Sequence, residues 1–214
     1  MIKNKYIIDL TQPLNNQTAI YPDSGDIPPK LQQTACVDQN NYSSYALCTG
    51  MHVGTHIDAP AHMLANGKNL NEYPVEQFCC NCIIIDAHDK EIINASTLQN
   101  LQNINNTAVL FYTGFDKYFM KNPEHYFTKH PVLTLEATDI LIELNVSMIG
   151  FDMPSPDRFP FEIHKKLFAN EILIIENLTN LNKLINYKNF DIYALPLLCA
   201  TDGAPARVIA QVNK

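Results

Sequence analysis

The sequence contains no tryptophan, and its six cysteines include no second C-x-x-C pair beyond the run Cys79-Cys80-Asn81-Cys82. The first absence means that an aromatic wall in any binding site has to come from the ten tyrosines and ten phenylalanines. The second excludes the two-pair spacing of zinc ribbons. Cys36, Cys48, Cys79, Cys80, Cys82 and Cys199 therefore read as reduced, mostly buried thiols, with a soft-metal role for the 79-80-82 cluster as the alternative. Basic residues are scarce: 15 Lys and Arg stand against 22 Asp and Glu, for a formal charge of -7. That balance argues against nucleic acid, which requires clustered positive side chains. Long apolar runs are missing as well. The start, MIKNKYIIDL, reaches Asp9 after the short run Tyr6 to Ile8, too little for a signal-peptide core or a membrane span, so a cytoplasmic protein with no membrane partner is expected. No repeat, low-complexity tract or linker divides the chain, and a hydrophobic fraction of 46% over 214 residues suits one domain spanning 1–214.

Six segments rich in Ile, Val and aromatics read as strands: 6–10, 81–87, 107–112, 147–151, 171–176 and 191–197. Helical patterns lie between several of them. Ser96 and Gln99 have the spacing of a capping box opening a short helix, and residues 135–144 repeat apolar side chains at helical spacing until Asn145. Alternation of strands and helices predicts an α/β domain. Proline and small residues mark loops at 21–29, 152–160 and 202–205.

Within eleven residues the chain places His52, His56, Asp58 and His62. A helix would bring His52 and His56 to one face, but Gly54 and the β-branched Val53, Thr55 and Ile57 disfavour it and Pro60 would break it. An extended strand-to-loop segment suits the run better, because positions 52, 56, 58 and 62 share parity and project to one side, where four potential ligands converge. Gly54 would let the backbone pass close to bound ions. Neutral imidazoles with a carboxylate suit a divalent ion such as zinc or manganese, and a two-oxygen carboxylate can bridge to a second ion. Downstream, His164 opens a helical stretch and Glu176 ends the strand-like EILIIE; spacing alone gives them little weight. His88, His125 and His130 have no partners at ligand spacing and read as surface residues. Asp152 and Asp157 either orient ligand imidazoles or cap their own loop. Asp202-Gly203 reads as a tight turn, and Arg207 as a structural or subunit-interface ion pair rather than a substrate clamp.

The run 52–62 fits H-x-G-T-H-x-D-x-P-x-H at every defined place. Around it stand Ile8-Asp9-Leu-Thr-Gln-Pro-Leu14, Tyr21-Pro22, Thr113-Gly114-Phe115, the stretch from Ile149 to Asp157, that from Ile175 to Leu181, and Asp202-Gly-Ala-Pro-Ala-Arg207. In these motifs and their order the sequence resembles the cyclase-like metal-dependent hydrolase family that includes bacterial kynurenine formamidase and isatin hydrolase. The resemblance implies a swivelling β/β/α fold, a homodimer or larger homo-oligomer, and two zinc ions per subunit, with manganese as the other metal. By position it implies that His52, His56 and Asp58 hold the first ion and that Asp58 bridges to a second held by His164. Glu176 would also bridge or complete the site, and His62 would act as the acid/base. The early loop departs from the formamidases' aromatic-Pro-Gly-Asp, reading Tyr21-Pro22-Asp23-Ser24-Gly25-Asp26, with Tyr21 as the aromatic that stacks on substrate.

The function this implies is hydrolysis of a small amide, foremost N-formylkynurenine to kynurenine and formate. The alternatives are hydrolysis of a cyclic amide or ester such as isatin, and a non-catalytic metal-binding protein on the same fold.

Overall fold

The protein's structure, a computed structural model, describes residues 5–22, 24–102 and 104–213. In chain order its strands are β1 (Lys5–Asp9), β2 (Lys30–Ala35), β3 (Ser44–Cys48), β4 (His56–Asp58), β5 (Cys79–Asp86), β6 (Ile92–Ile93), β7 (Ala108–Tyr112), β8 (Val132–Leu133), β9 (Met148–Phe151), β10 (Leu173–Glu176), β11 (Phe190–Pro196) and β12 (Gly203–Asn213). The helices are α1 (Val37–Asn40), α2 (Pro123–Lys129), α3 (Leu135–Glu143) and α4 (Glu162–Ala169). Eight strands form one sheet in the order β1-β12-β11-β5-β7-β9-β10-β4, and β4 also pairs with β12. The long β12 makes this closure: residues 203–205 pair with β4, 206–211 with β11 and 209–213 with β1. The wall is therefore barrel-like, and the fold is a mixed α/β domain.

Period-two alternation decides which side chains go inside. Ala108 and Leu110 of β7, Ile57 of β4, Ile175 of β10 and Ala204, Val208 and Ala210 of β12 fill the barrel. The intervening Val109, Phe111, Ile149, Phe151 and Ile174 face outward and are covered by Leu141 of α3 and Leu167 and Phe168 of α4. Parallel pairs β5–β7, β7–β9 and β9–β10 need crossovers; α3 lies in the second and α4 in the third, while the first runs through β6 and a 3-10 turn. Phe111 and Phe151 meet across β7 and β9 with ring centroids 5.1 Å apart.

All six predicted strands are present, as is the helix expected at 135–144, which Thr134 caps by accepting from the Ala137 N–H at 3.2 Å. Three local expectations are corrected. Residues 95–98 form a 3-10 turn rather than a capped α-helix, because the Ser96 hydroxyl donates to Asn94 at 2.7 Å instead of accepting from its own helix. Residues 203–205, expected in a loop, begin β12, since the pairing with β4 overrides the Gly and Pro turn signal. Of the six thiols, all free, only Cys82 is buried and Cys48 is exposed. The β2–β3 hairpin escaped the strand reading because only Ala35 in it is buried, so it has no apolar alternation to read. No helix among the described residues is long and apolar enough to cross a membrane.

Candidate metal centre

Cross-strand register assembles the centre. β4 lies between β10 and β12, with Glu176 opposite His56 and Gly203 opposite Asp58. Because Ile57, Ile175 and Ala204 point into the barrel, their neighbours His56, Asp58 and Glu176 must leave its outer face. There α4 delivers His164, and all four of these side chains are buried. His52 and His62 reach the same place by another route than the expected strand parity. His52 comes from a turn before β4, and His62 from a 3-10 turn, Pro60–His62, after it. Only the 56–58 segment is extended, yet the four side chains converge.

The contacts form one connected cluster. His52 Nδ1 lies 2.6 Å from Asp58 Oδ1, and His56 Nε2 lies 3.2 Å from the same oxygen. Glu176 lies 3.5 Å from His56 Nε2 through Oε2 and 3.3 Å from His164 Nε2 through Oε1. Two triads of donor atoms close enough to hold an ion are His52, His56, Asp58 and Asp58, His164, Glu176, which share Asp58. A third is His52, His62 and Asp202.

Further contacts fix each ring. His56 Nδ1 bonds the Gly54 carbonyl at 2.8 Å, which turns Nε2 toward the cluster. His164 Nδ1 bonds Asp157 at 2.5 Å, and Asp157 also accepts the backbone N–H groups of Ile163 and His164 at the start of α4. Asp157 thus performs both roles considered for it. Asp152 performs neither: it accepts from Thr113 and Gly114 of the neighbouring loop and touches no imidazole. Gly54 acts through conformation rather than close approach, since its φ is 69° while a Cβ there would meet nothing nearer than Leu14 at 3.5 Å.

These residues fit a metal by two independent tests. His56 Nε2 and Glu176 Oε1 are buried with no hydrogen-bond partner, a costly condition that a shared cation removes. In addition, desolvating an ion costs several kcal/mol, so buried carboxylates and imidazoles in contact are poor stabilisers and good ligands. The electrostatics agree. Burial opposes charge on His52, but Asp58 with Asp202 outweighs it and raises this imidazole to about 11. Burial likewise opposes charge on His164, and Asp157 with Glu176 raises it to about 10. Burial also pushes the Glu176 carboxyl up, reinforced by the charge of Asp58. Without an ion, protonated imidazoles supply the positive charge that these carboxylates demand.

The cluster lines a pocket of about 1020 Å³ whose wall includes Tyr21, Met51, Met63, Phe127 and Phe161. Tyr21, the expected substrate aromatic, packs edge-on to Phe127 at 5.4 Å; Asp23 of the same loop lies outside the described residues. His62 Nδ1 lies 3.1 Å from Asp202 Oδ2, an oxygen that also meets His52 Nε2 at 3.0 Å.

A family model, Cyclase, matches residues 8–158. This chain belongs to the cyclase family. Its similar relatives include the kynurenine formamidase of Bacillus cytotoxicus, 31% identical over 94% of this chain and 95% of that protein, and that of Bacillus cereus, 30% identical over 97% and 98%. The fold matches isatin hydrolase A from Labrenzia aggregata with a TM-score of 0.87 at 22% identity, covering 98% of this chain and 94% of that one. With the donor set described, the chain is a metal-dependent hydrolase of this cyclase family.

Two polar residues of this cyclase-family site were missed as site residues. Asp202 was read as a turn, yet it joins His52 to His62. Asn177 bonds the Gly54 carbonyl at 2.8 Å and accepts from the buried Tyr126 hydroxyl at 2.9 Å, bracing the turn that aims His56. Asp202 had a signal in its proximity to the conspicuous Gly203-Ala-Pro; Asn177 had none beyond following Glu176. Arg207 pairs with Asp9 at 2.6 Å on the surface, between β12 and β1, and so is structural. His130 corrects the expectation of a surface residue: it is 1% exposed, its Nδ1 bonds the Pro131 carbonyl at 2.8 Å, and burial lowers it to about 4. His88 and His125 stack on Tyr112 and Phe115.

Proposed function

We propose that this hydrolase releases formate from an aryl formamide, with N-formylkynurenine the foremost substrate, in the cytoplasm and with two zinc ions per subunit. In this reading His52, His56 and Asp58 would hold one ion and Asp58, His164 and Glu176 the second, with manganese able to replace zinc. The observation that carries it is the pair of orphaned buried atoms, His56 Nε2 and Glu176 Oε1, beside the free edge of His62 in an aromatic-walled pocket. Similarity to the Bacillus formamidases over nearly the whole chain supports the substrate class.

A bound divalent ion supplies Lewis acidity and brings the pKa of a coordinated water from 15.7 to about 7. The chain supplies the rest. With Nδ1 engaged by Asp202, His62 presents Nε2 to the pocket, where it takes the proton of the attacking water. The same atom returns that proton to the leaving nitrogen, because an amide anion is a poor leaving group. Asp157 and the Gly54 carbonyl hold the His164 and His56 rings in place during this exchange. Tyr21 and Phe161 hold the aryl ring.

The test is a panel of N-formylkynurenine, formanilide and isatin, assayed for formate release and for ring opening with metal supplied. Formate from the first two is expected. Ring opening of isatin alone would move the function to a cyclic amide, and turnover of nothing in a panel extended to esters would leave a metal-binding protein.

We also place the chain in a homodimer or larger homo-oligomer, supported by the exposed Tyr42, Tyr45 and Leu47 on and beside the β2–β3 hairpin. Light scattering on the purified protein should give at least twice the 24.2 kDa chain mass; the chain mass alone would refute it.

A further inference from the structure

Lys165 is the one Lys or Arg among the described residues lining the catalytic pocket, whose other charged lining residues include Asp26, Asp58, Glu176 and Asp202. On a helix a lysine can pair with an acid three or four residues away, and Glu162 is at that spacing. Lys165 does not do so. Its ammonium turns to the Pro160 carbonyl, at 2.8 Å, and it has no ion-pair partner among the described residues. Lys68, Lys166 and Arg207, by contrast, are paired with Glu171, Asp139 and Asp9. One donated bond leaves two ammonium N–H donors free. The tether sits on the rim beside a run of aromatic rings leading from the metal centre: Phe161 is 5.9 Å from His164, and the 86% exposed Phe159 is 6.1 Å from Phe161. A flat ring lying along Phe161 with its amide at the cluster carries its opposite arm toward this rim.

Resting on the formamide reading above, we propose that Lys165 binds a carboxylate on the substrate arm remote from the scissile bond, so that the substrate class is aryl formamides bearing a remote carboxylate. An unpaired cation at the mouth of an otherwise acidic pocket attracts the anion and orients the ring. A neutral formanilide lacks this anchor. A charge-assisted hydrogen bond from this exposed rim, at the weak end of its range, corresponds to about tenfold in binding.

The experiment compares N-formylkynurenine with its carboxamide, which lacks the negative charge, in the wild-type, Lys165→Met and Lys165→Arg proteins loaded with zinc. The acid-to-amide ratio of kcat/KM should fall about tenfold in Lys165→Met, through KM rather than kcat, and recover in Lys165→Arg. The wild-type preference should shrink as salt is raised. An unaltered ratio in Lys165→Met overturns the proposal, as does a salt-independent preference. Calorimetric binding of kynurenine against kynurenine carboxamide separates this idea from the formamidase reading. A Lys165-dependent preference for kynurenine, even where no formamide turns over, sustains the anchor and sinks only the reaction. Equal or absent binding of the two sinks the anchor.

Discussion

Replacing His62 by alanine should lower formanilide hydrolysis by about 10²–10⁴-fold while the protein keeps its fold and its metal. The expectation follows from position: His62 shares the Asp202 carboxylate with His52, and its ring lies 4.0 Å from that of His52, but it belongs to neither of the two triads that share Asp58. A residue that only moves protons matters in proportion to the basicity of the leaving group. A nitrophenyl ester, whose leaving group needs no proton, should therefore lose far less activity than the anilide. The competing role is concrete, because His52, His62 and Asp202 form a third possible ligand triad. Metal stoichiometry and both rates measured on one preparation separate the two. Equal losses on both substrates together with lost metal would make His62 a ligand.

The sequence made the candidate metal cluster legible because two of its candidate ligands lie on β4, where two residues of separation suffice to place side chains on one face. The parity argument extended to His52 and His62 reached the correct neighbourhood for an incorrect reason: turns, not strand alternation, deliver them. His164 and Glu176 have no such local signature. Their approach depends on the register of β10 against β4 and on the docking of α4, which are tertiary facts. Resemblance to a known family named them where periodicity was silent. The same limit hid Asp202 and Asn177, whose contacts to His52 and to the Gly54 carbonyl span more than a hundred residues. Strands were readable where both faces are buried in continuous apolar runs, as in β7 and β9, and unreadable in the β2–β3 hairpin, where almost nothing is. The start of β12 was hidden by Gly203 and Pro205. Gly203 is where it is for a reason the site explains: a Cβ there would lie 2.5 Å from His52. The turn-like composition that obscured the strand is thus the space that the His52 ring occupies.

Stripping the protein with a chelator should abolish hydrolysis, and zinc or manganese should restore it, because the proposed nucleophile is a water whose pKa only a bound ion would bring near neutrality. The charge state of the centre gives this prediction a pH dependence. With His52 at about 11 and His164 at about 10, both rings carry protons at neutral pH in the metal-free protein and must lose them to coordinate. Ion binding therefore expels protons, and affinity should rise with pH by about tenfold per unit for each proton displaced. The metal-free fold responds in the opposite sense. Raised imidazole pKa values stabilise it fully below the unfolded value of about 6.5, and that contribution is lost as pH rises through 10 and 11. The difference in melting temperature between loaded and stripped protein should accordingly widen from pH 6 to pH 9. Asp157→Asn sharpens the test, since it removes the charge that bonds His164 Nδ1 and should cost about 10–100-fold in metal affinity. It should also release fewer protons on binding, because His164 would then sit lower. Affinity that is flat with pH, or activity that survives exhaustive stripping, would mean that the buried histidines and carboxylates hold one another rather than an ion.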